Sequence, residues 1–232
     1  MLNQTIILKI KQRLNKLDSQ DYDNIETWEI IEAFNKAQVE WTRRQLHGLN
    51  IVKEGDEQST RRKDDLQVLL DTVPVALNNQ QIFYYTVIPD DYMQWKRIDA
   101  KAKNECCPDK PMMIYLAEEG NVSELLRDKS KKPSFEWAET FATLQNNKIL
   151  IYTNNEFELT DASLTYYKQP TRIEILGVVN PYTGTVSAAN VESVFKDDII
   201  ELLIDETASI LGGDIESPNQ MSRGMQTGER NN

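Results

Sequence analysis

Apolar positions near the start of the chain recur at helical intervals. Ile6, Ile10, Leu14 and Leu17 are spaced by four, four and three, one stripe of an amphipathic helix that should end near Asp18-Ser19. Beyond Asp23 or Asn24, either of which can cap, Ile30, Phe34, Ala37 and Trp41 form the stripe of a second helix running to His47, with Gly48 as its stop. Rising about 1.5 Å per residue, that helix reaches ~35 Å, too long for one short helix to cover. Leu66, Leu69, Leu70 and Val73 give a third helical pattern, which Pro74 ends. These elements predict a helical bundle over residues 1–75.

The pattern then changes. Gln81 to Ile88 is rich in aromatic and β-branched residues and closes at Pro89, which predicts a strand. Further strands are expected around Trp95 to Ala102, at Lys148 to Thr153 turning at Asn154-Asn155 into Phe157 to Leu159, at Leu164 to Lys168 and at Arg172 to Leu176. Asp109 to Lys132 is charged and punctuated by Pro108, Pro111 and Pro133, so it reads as an excursion from the sheet. The result is a β-rich lobe over residues 76–186 with an irregular insertion at 103–135.

Helical periodicity returns after Pro181 and Gly184. Val191, Phe195, Ile199, Leu202 and Leu203 share one face, and Ile200, Ile204, Ala208 and Leu211 another, so the helix over 187–213 should be well buried against the bundle. Ser193 or Asn190 can cap it, Asp197, Asp198 and Glu201 suit its positive end, and Gly212-Gly213 ends it. The last stretch, 214–232, has only Ile215, Met221 and Met225 as sizeable apolar residues. It should be disordered in an isolated subunit.

Composition narrows the function classes. Leu, Ile, Val and Phe make up 59 of the 232 residues, enough for a core. A formal charge of -11 repels phosphate backbones, which argues against a general DNA-gripping surface. One histidine, His47, and the adjacent Cys106 and Cys107 cannot furnish a tetrahedral zinc site or a disulfide framework. No secretory pattern or membrane-length apolar run occurs, so the expectation is a soluble chain made in the cytoplasm.

Candidate chemistry is thin. The pairs Asp64-Asp65, Asp90-Asp91, Glu118-Glu119 and Asp197-Asp198 could suggest a hydrolase, yet neighbours in sequence do not supply two carboxyls facing across a cleft. Cys107 with His47 could pair a nucleophile with a base, but no third orienting group is suggested. Phosphate-binding glycine loops, zinc-protease helices and serine elbows lack their signatures. No catalytic, cofactor or metal residue is predicted.

One cluster is more informative. Ile88-Pro89-Asp90-Asp91-Tyr92 reads as a strand, a tight corner and a second strand, because proline fixes φ and aspartate can bond the backbone two residues on. Together with Tyr166-Tyr167-Lys168-Gln169-Pro170, and with the ending from Ile199 through Gly213-Asp214-Ile215-Glu216-Ser217-Pro218-Asn219-Gln220, it resembles the head-to-tail connector or tail adaptor proteins of short-tailed phages. The likeness is greatest to the neck ring proteins of crAss-like phages and spans nearly the whole chain.

The resemblance implies an α+β fold in which the helical bundle is joined by the C-terminal helix, with an inserted antiparallel β lobe and an extended arm. It also implies a structural virion protein without enzymatic activity, forming a dodecameric ring between portal and tail. Its partners are further copies of itself, the portal and other neck or tail proteins. DNA passes through the channel without specific binding, and no membrane is involved. The arm, 214–232, resembles the docking arms of tail adaptors, with Ile215, Met221 and Met225 as apolar anchors and Arg223 and Arg230 to pair with acidic neighbours. The rival expectation is a carboxylate-dependent hydrolase carried in the virion, with Asp90 or Asp91 as first suspects; a scaffold or cargo protein inside the head is a third.

Overall fold

The computed structural model describes residues 1–15, 25–47, 64–181 and 184–214. The chain divides into two units, Met1–Val68 with Pro170–Asn232, and Leu69–Gln169.

In the first unit, helices α1 (Asn3–Asn15) and α2 (Thr27–His47) pack with a helix from the far end of the chain (Asp197–Asp214). Of the predicted stripes, Ile6, Ile10 and Leu14 on α1, Ile30, Phe34, Ala37 and Trp41 on α2, and Phe195, Ile199, Ile200, Leu203, Ile204 and Leu211 near the C-terminus are buried; Val191, Leu202 and Ala208 are half-buried, and Leu17 lies outside the described residues. The Phe195 and Trp41 rings pack edge to face with centroids 5.2 Å apart. Ion pairs join the same helices, Arg13 to Asp205 at 2.9 Å, Lys9 to Glu201 and Arg44 to Glu206. The expected helix stops and caps at Asp18-Ser19, Asp23, Asn24 and Gly48 lie outside the described residues.

Three expectations for this unit are corrected. Arg172–Leu176 is not a strand; Glu174 makes a single bridge to Val191, and the backbone nearby is satisfied by helix side chains. Asn35 accepts from Ile173 N at 2.8 Å, Gln38 donates to Thr171 O at 3.4 Å, and Asn3 donates to Glu174 O at 2.9 Å and Val191 O at 2.7 Å. For the same reason the C-terminal helix starts at Asp197, later than Asn190 or Ser193 would set. Val191 is held in the bridge, and Ser193 Oγ donates to Gln38 Oε1 at 2.8 Å. At the other end Gly212-Gly213 does not stop the helix, which runs on to Asp214.

The second unit is an eight-stranded sheet: β1 (Leu70–Pro74), β2 (Asn78–Asn79), β3 (Phe83–Val87), β4 (Tyr92–Asn104), β5 (Cys107–Leu116), β6 (Glu139–Gln145), β7 (Lys148–Tyr152) and β8 (Glu158–Lys168). Its order is β1-β8-β4-β5-β6-β7-β3-β2. The β5–β6 pair is parallel and the other pairs are antiparallel. Helix α3 (Val122–Arg127) lies in the β5–β6 crossover, and the C-terminal helix is α4. Tyr84, Ile98, Ile114, Ile149 and Leu164, from five strands, share one buried cluster. On the opposite face Phe141, Leu150 and Tyr152 are covered by Val122, Leu125 and Leu126 of α3.

The helical reading of Leu66 to Val73 holds only as far as Leu69, where a 3₁₀ turn over Gln67–Leu69 gives way to β1. Crowded into eight residues at spacings of three, one and three, these apolar positions do not separate periods of 3.6 and 2, and Thr72 and Val73 are β-branched. β1 pairs with β8 from Leu70↔Tyr167 to Pro74↔Ser163, so the bundle expected over 1–75 ends before this strand. The insertion expected over 103–135 also shrinks, because β5 occupies Cys107–Leu116. Cys107 to Met112 pair with β4 alone and β6 joins only at Met113, so this half of β5 is an edge that tolerates Pro108 and Pro111. β6 was not predicted; its turn into β7 uses Asn146 and Asn147 at φ 49° and 57°.

Candidate functional site

The structure brings two of the singled-out sequence pieces together. At the Ile88–Tyr92 corner, Tyr92 N donates to Pro89 O at 3.1 Å and closes the turn. Tyr166, at the end of β8, donates its hydroxyl to Asp91 Oδ1 at 2.7 Å and stacks on Tyr92 at 5.7 Å. Gln169 N donates to Asp91 O at 2.7 Å, so both ends of the β8 terminus are tied to the corner. Burial, then the hydrogen bond and charge of Asp91, push the Tyr166 hydroxyl up to about 12. Asp91 therefore has a structural task that composition alone does not reveal.

A second feature was missed at the level of sequence. Between the end of β5, α3 and the loop before β6 lies an open cleft of about 810 Å³ whose lining includes Tyr115, Leu125, Trp137 and three lysines, Lys129, Lys131 and Lys132. Each wall has a local cause. Asp128 caps the turn after α3, accepting from Ser130 N through its carboxylate at 2.9 Å and from Lys132 N through its carbonyl at 2.9 Å. Facing it, Ser134 and Glu139 exchange two backbone bonds at 2.9 and 3.1 Å, and Met113 N donates to Ala138 O at 2.7 Å. Lys110 braces the same loop, donating to Phe135 O at 2.8 Å and Glu136 O at 2.9 Å while lying over the Phe135 ring. The loop passes through Ala138 at φ 57°, and Trp137 is left 77% exposed.

Within the cleft the charges are unequal. Lys132 pairs with Glu156, and Lys131 reaches Asp128 at 3.9 Å. Among the described residues Lys129 has no ion-pair partner, and Glu139 is the one carboxylate lining the cleft. Tyr115 is raised above the usual tyrosine range by burial first and then by Glu139 and Asp128. The arrangement can hold a negatively charged, partly apolar group, and the sequence signal for it is Arg127 to Lys132 followed by Trp137.

No protein-family model and no curated protein matches this chain.

A smaller groove of about 490 Å³ beside β2 and the β4–β5 turn is polar and largely self-satisfied, with Lys103 paired to Glu158 at 3.0 Å and Asn79 donating to Tyr84 Oη at 3.0 Å. Cys106 and Cys107 sit exposed at that turn, and a hydrogen bond with Cys106 holds the Cys107 thiol above its ordinary range, away from the nucleophilic thiolate. The side chain of His47, proposed as its base, is outside the described residues. So are Ile215, Met221, Arg223, Met225 and Arg230, the residues expected to anchor a docking arm. Among the described residues no cluster of three or more potential metal ligands occurs, and no helix is long and apolar enough to cross a membrane.

Proposed function

We propose that this chain is a structural subunit of a phage neck ring, placed between portal and tail, that extends the DNA channel for genome retention and ejection. The observation that supports this most is the division of labour along the chain. Helices from both ends, α1, α2 and α4, pack into one unit, while the intervening Leu69–Gln169 makes the sheet. That is the arrangement the resemblance implies, with the Asp91–Tyr166 bond joining two of the segments on which it rests. The finer reading is a helical bundle joined by the C-terminal helix, an inserted β lobe and a C-terminal docking arm over 214–232. Twelve copies form the ring, the portal and other tail proteins are its neighbours, and the virion neck is its place.

In this reading the channel-facing surface is acidic or neutral, since each phosphate held by Lys or Arg adds affinity that slows passage, and a charge of -11 per subunit suits that. The test is native mass measurement of purified neck complexes with imaging of the same particles. A closed ring of twelve seated against the portal is expected; single copies or an open assembly would overturn the reading. For the arm, deletion of Ser217 to Asn232 should leave a folded subunit that fails to join the neck. Truncated protein that still assembles into DNA-retaining particles refutes that part.

A further inference from the structure

Independently of the ring, we infer that the lysine-rimmed cleft beside α3 is a docking site for an acidic segment of a partner protein, one carrying an aromatic or large aliphatic residue among its carboxylates. Three observations meet there. Trp137 is 77% exposed, more than any other large apolar side chain among the described residues, and Tyr115, 40% exposed, lines the same cleft. Exposed apolar groups grouped around a cleft mark interaction sites more often than isolated ones do. The platform is also rigid, because the Trp137 loop is closed by the Ser134–Glu139 bonds, tied to β5 through Met113 and braced by Lys110. A preorganised wall loses little entropy on binding.

Charge selects the occupant. Arg127, Lys129, Lys131 and Lys132 fall within six positions that contain one acid, in a chain of net charge -11. A local basic rim on an acidic molecule attracts carboxylates while the remainder repels polyanions. Nucleic acid is the other ligand that uses lysines with aromatic platforms, but it needs a track of uncommitted cations along its phosphates. Here Lys131 and Lys132 already have carboxylate partners and Glu139 lies in the lining, which leaves Lys129 as the one lysine there without an ion pair among the described residues. One carboxylate beside an apolar anchor matches that supply. The anchor enters between Trp137, Tyr115 and Leu125, with Lys129 taking the carboxylate.

The test is selection from a random dodecapeptide display library on the full chain, followed by titration of the consensus peptide. Enriched sequences should place an Asp or Glu beside a Phe, Trp, Leu or Ile. Trp137→Ala should weaken the consensus peptide roughly 30-fold, as loss of a buried aromatic anchor does, and Lys129→Glu about tenfold. Both positions are exposed, and matching circular dichroism spectra would verify that the variants fold. Three results would overturn the inference: no enrichment, a consensus that binds the wild type and both variants equally, or a 20-nucleotide oligo(dT) that binds the cleft while acidic peptides do not.

Discussion

Asn35 offers the sharpest test of how the first unit is held. Its side chain is 4% exposed on α2 yet polar, accepting from Ile173 N at 2.8 Å and from Gln38 Nε2 at 3.1 Å, and donating to Ile173 O at 3.3 Å. Asn35→Ala leaves the amide of Ile173, a residue only 1% exposed, without an acceptor in a place water does not readily reach. An orphaned buried donor costs about 1–3 kcal/mol, and adding the lost long bond and the small void puts the total near ~3 kcal/mol. Lys36→Ala, one residue on and on the exposed face, should stay within about 0.5 kcal/mol of wild type. Urea unfolding followed by circular dichroism measures both, and hydrogen exchange at the Ile173 amide reports the local event. Asn35→Asp is a finer probe, because it keeps the acceptor but buries a carboxyl. It loses the bond to Ile173 O but still accepts from Ile173 N, so exchange at that amide should stay closer to wild type than in Asn35→Ala. If Asn35→Ala costs no more than Lys36→Ala, or Ile173 exchange is unchanged, the tie does not hold the segment.

Glu206 is raised above its ordinary range by burial even though Arg44 beside it pulls the other way, so its folded form prefers the proton more than the unfolded chain does. Its contribution is therefore fully present below the unfolded value and fades as pH rises through the folded one; urea midpoints should show wild type gaining on Glu206→Gln as pH falls from 7 to 4, and parallel profiles would refute the burial argument. Tyr166 should be among the last tyrosines to ionise, near pH 12, and Asp91→Asn should lower its titration point by removing a like charge; spectrophotometric titration of both proteins checks this, and an unchanged point would show that Asp91 is not the neighbour that matters.

The helices were readable because their stripes are long. Four apolar positions at intervals of three and four on α2, all buried, leave no competing period, and the turn residues Asn154 and Asn155 take the left-handed φ of 48° and 59° that their chemistry favours. Where the reading failed, the deciding partner lay far away in sequence. Leu70 to Val73 becomes a strand because β8, nearly a hundred residues on, offers a free edge with Thr165 to bond Thr72 at 3.0 Å. Arg172 to Leu176 fails to become one because Asn35 and Gln38, on a helix, take up its backbone groups. The β-branched Thr72 and Val73 favour the first outcome, but in each case the deciding backbone satisfaction is supplied by tertiary contact.

The cleft illustrates the same dependence. Arg127 to Lys132 and Trp137 are separate features along the chain, a charged run and a lone aromatic, and proline punctuation makes the region read as loop. What joins them is the parallel pairing of β5 with β6, from Met113↔Glu139 to Leu116↔Ala142. Parallel neighbours cannot be linked by a tight turn, so the chain must leave the sheet at Leu116, cross over and return alongside at Glu139. Phe141 and Tyr152 make an apolar patch on the face it crosses, which seats Leu125 and Leu126 and so fixes α3. With α3 fixed, the lysines that follow it must turn back toward Ser134, and the loop that restarts β6 must stand opposite them. The same crossover that buries one face of α3 thus leaves a basic rim and an aromatic wall facing each other, and a change that releases α3, such as Leu126→Asp, should abolish peptide binding without touching a cleft residue.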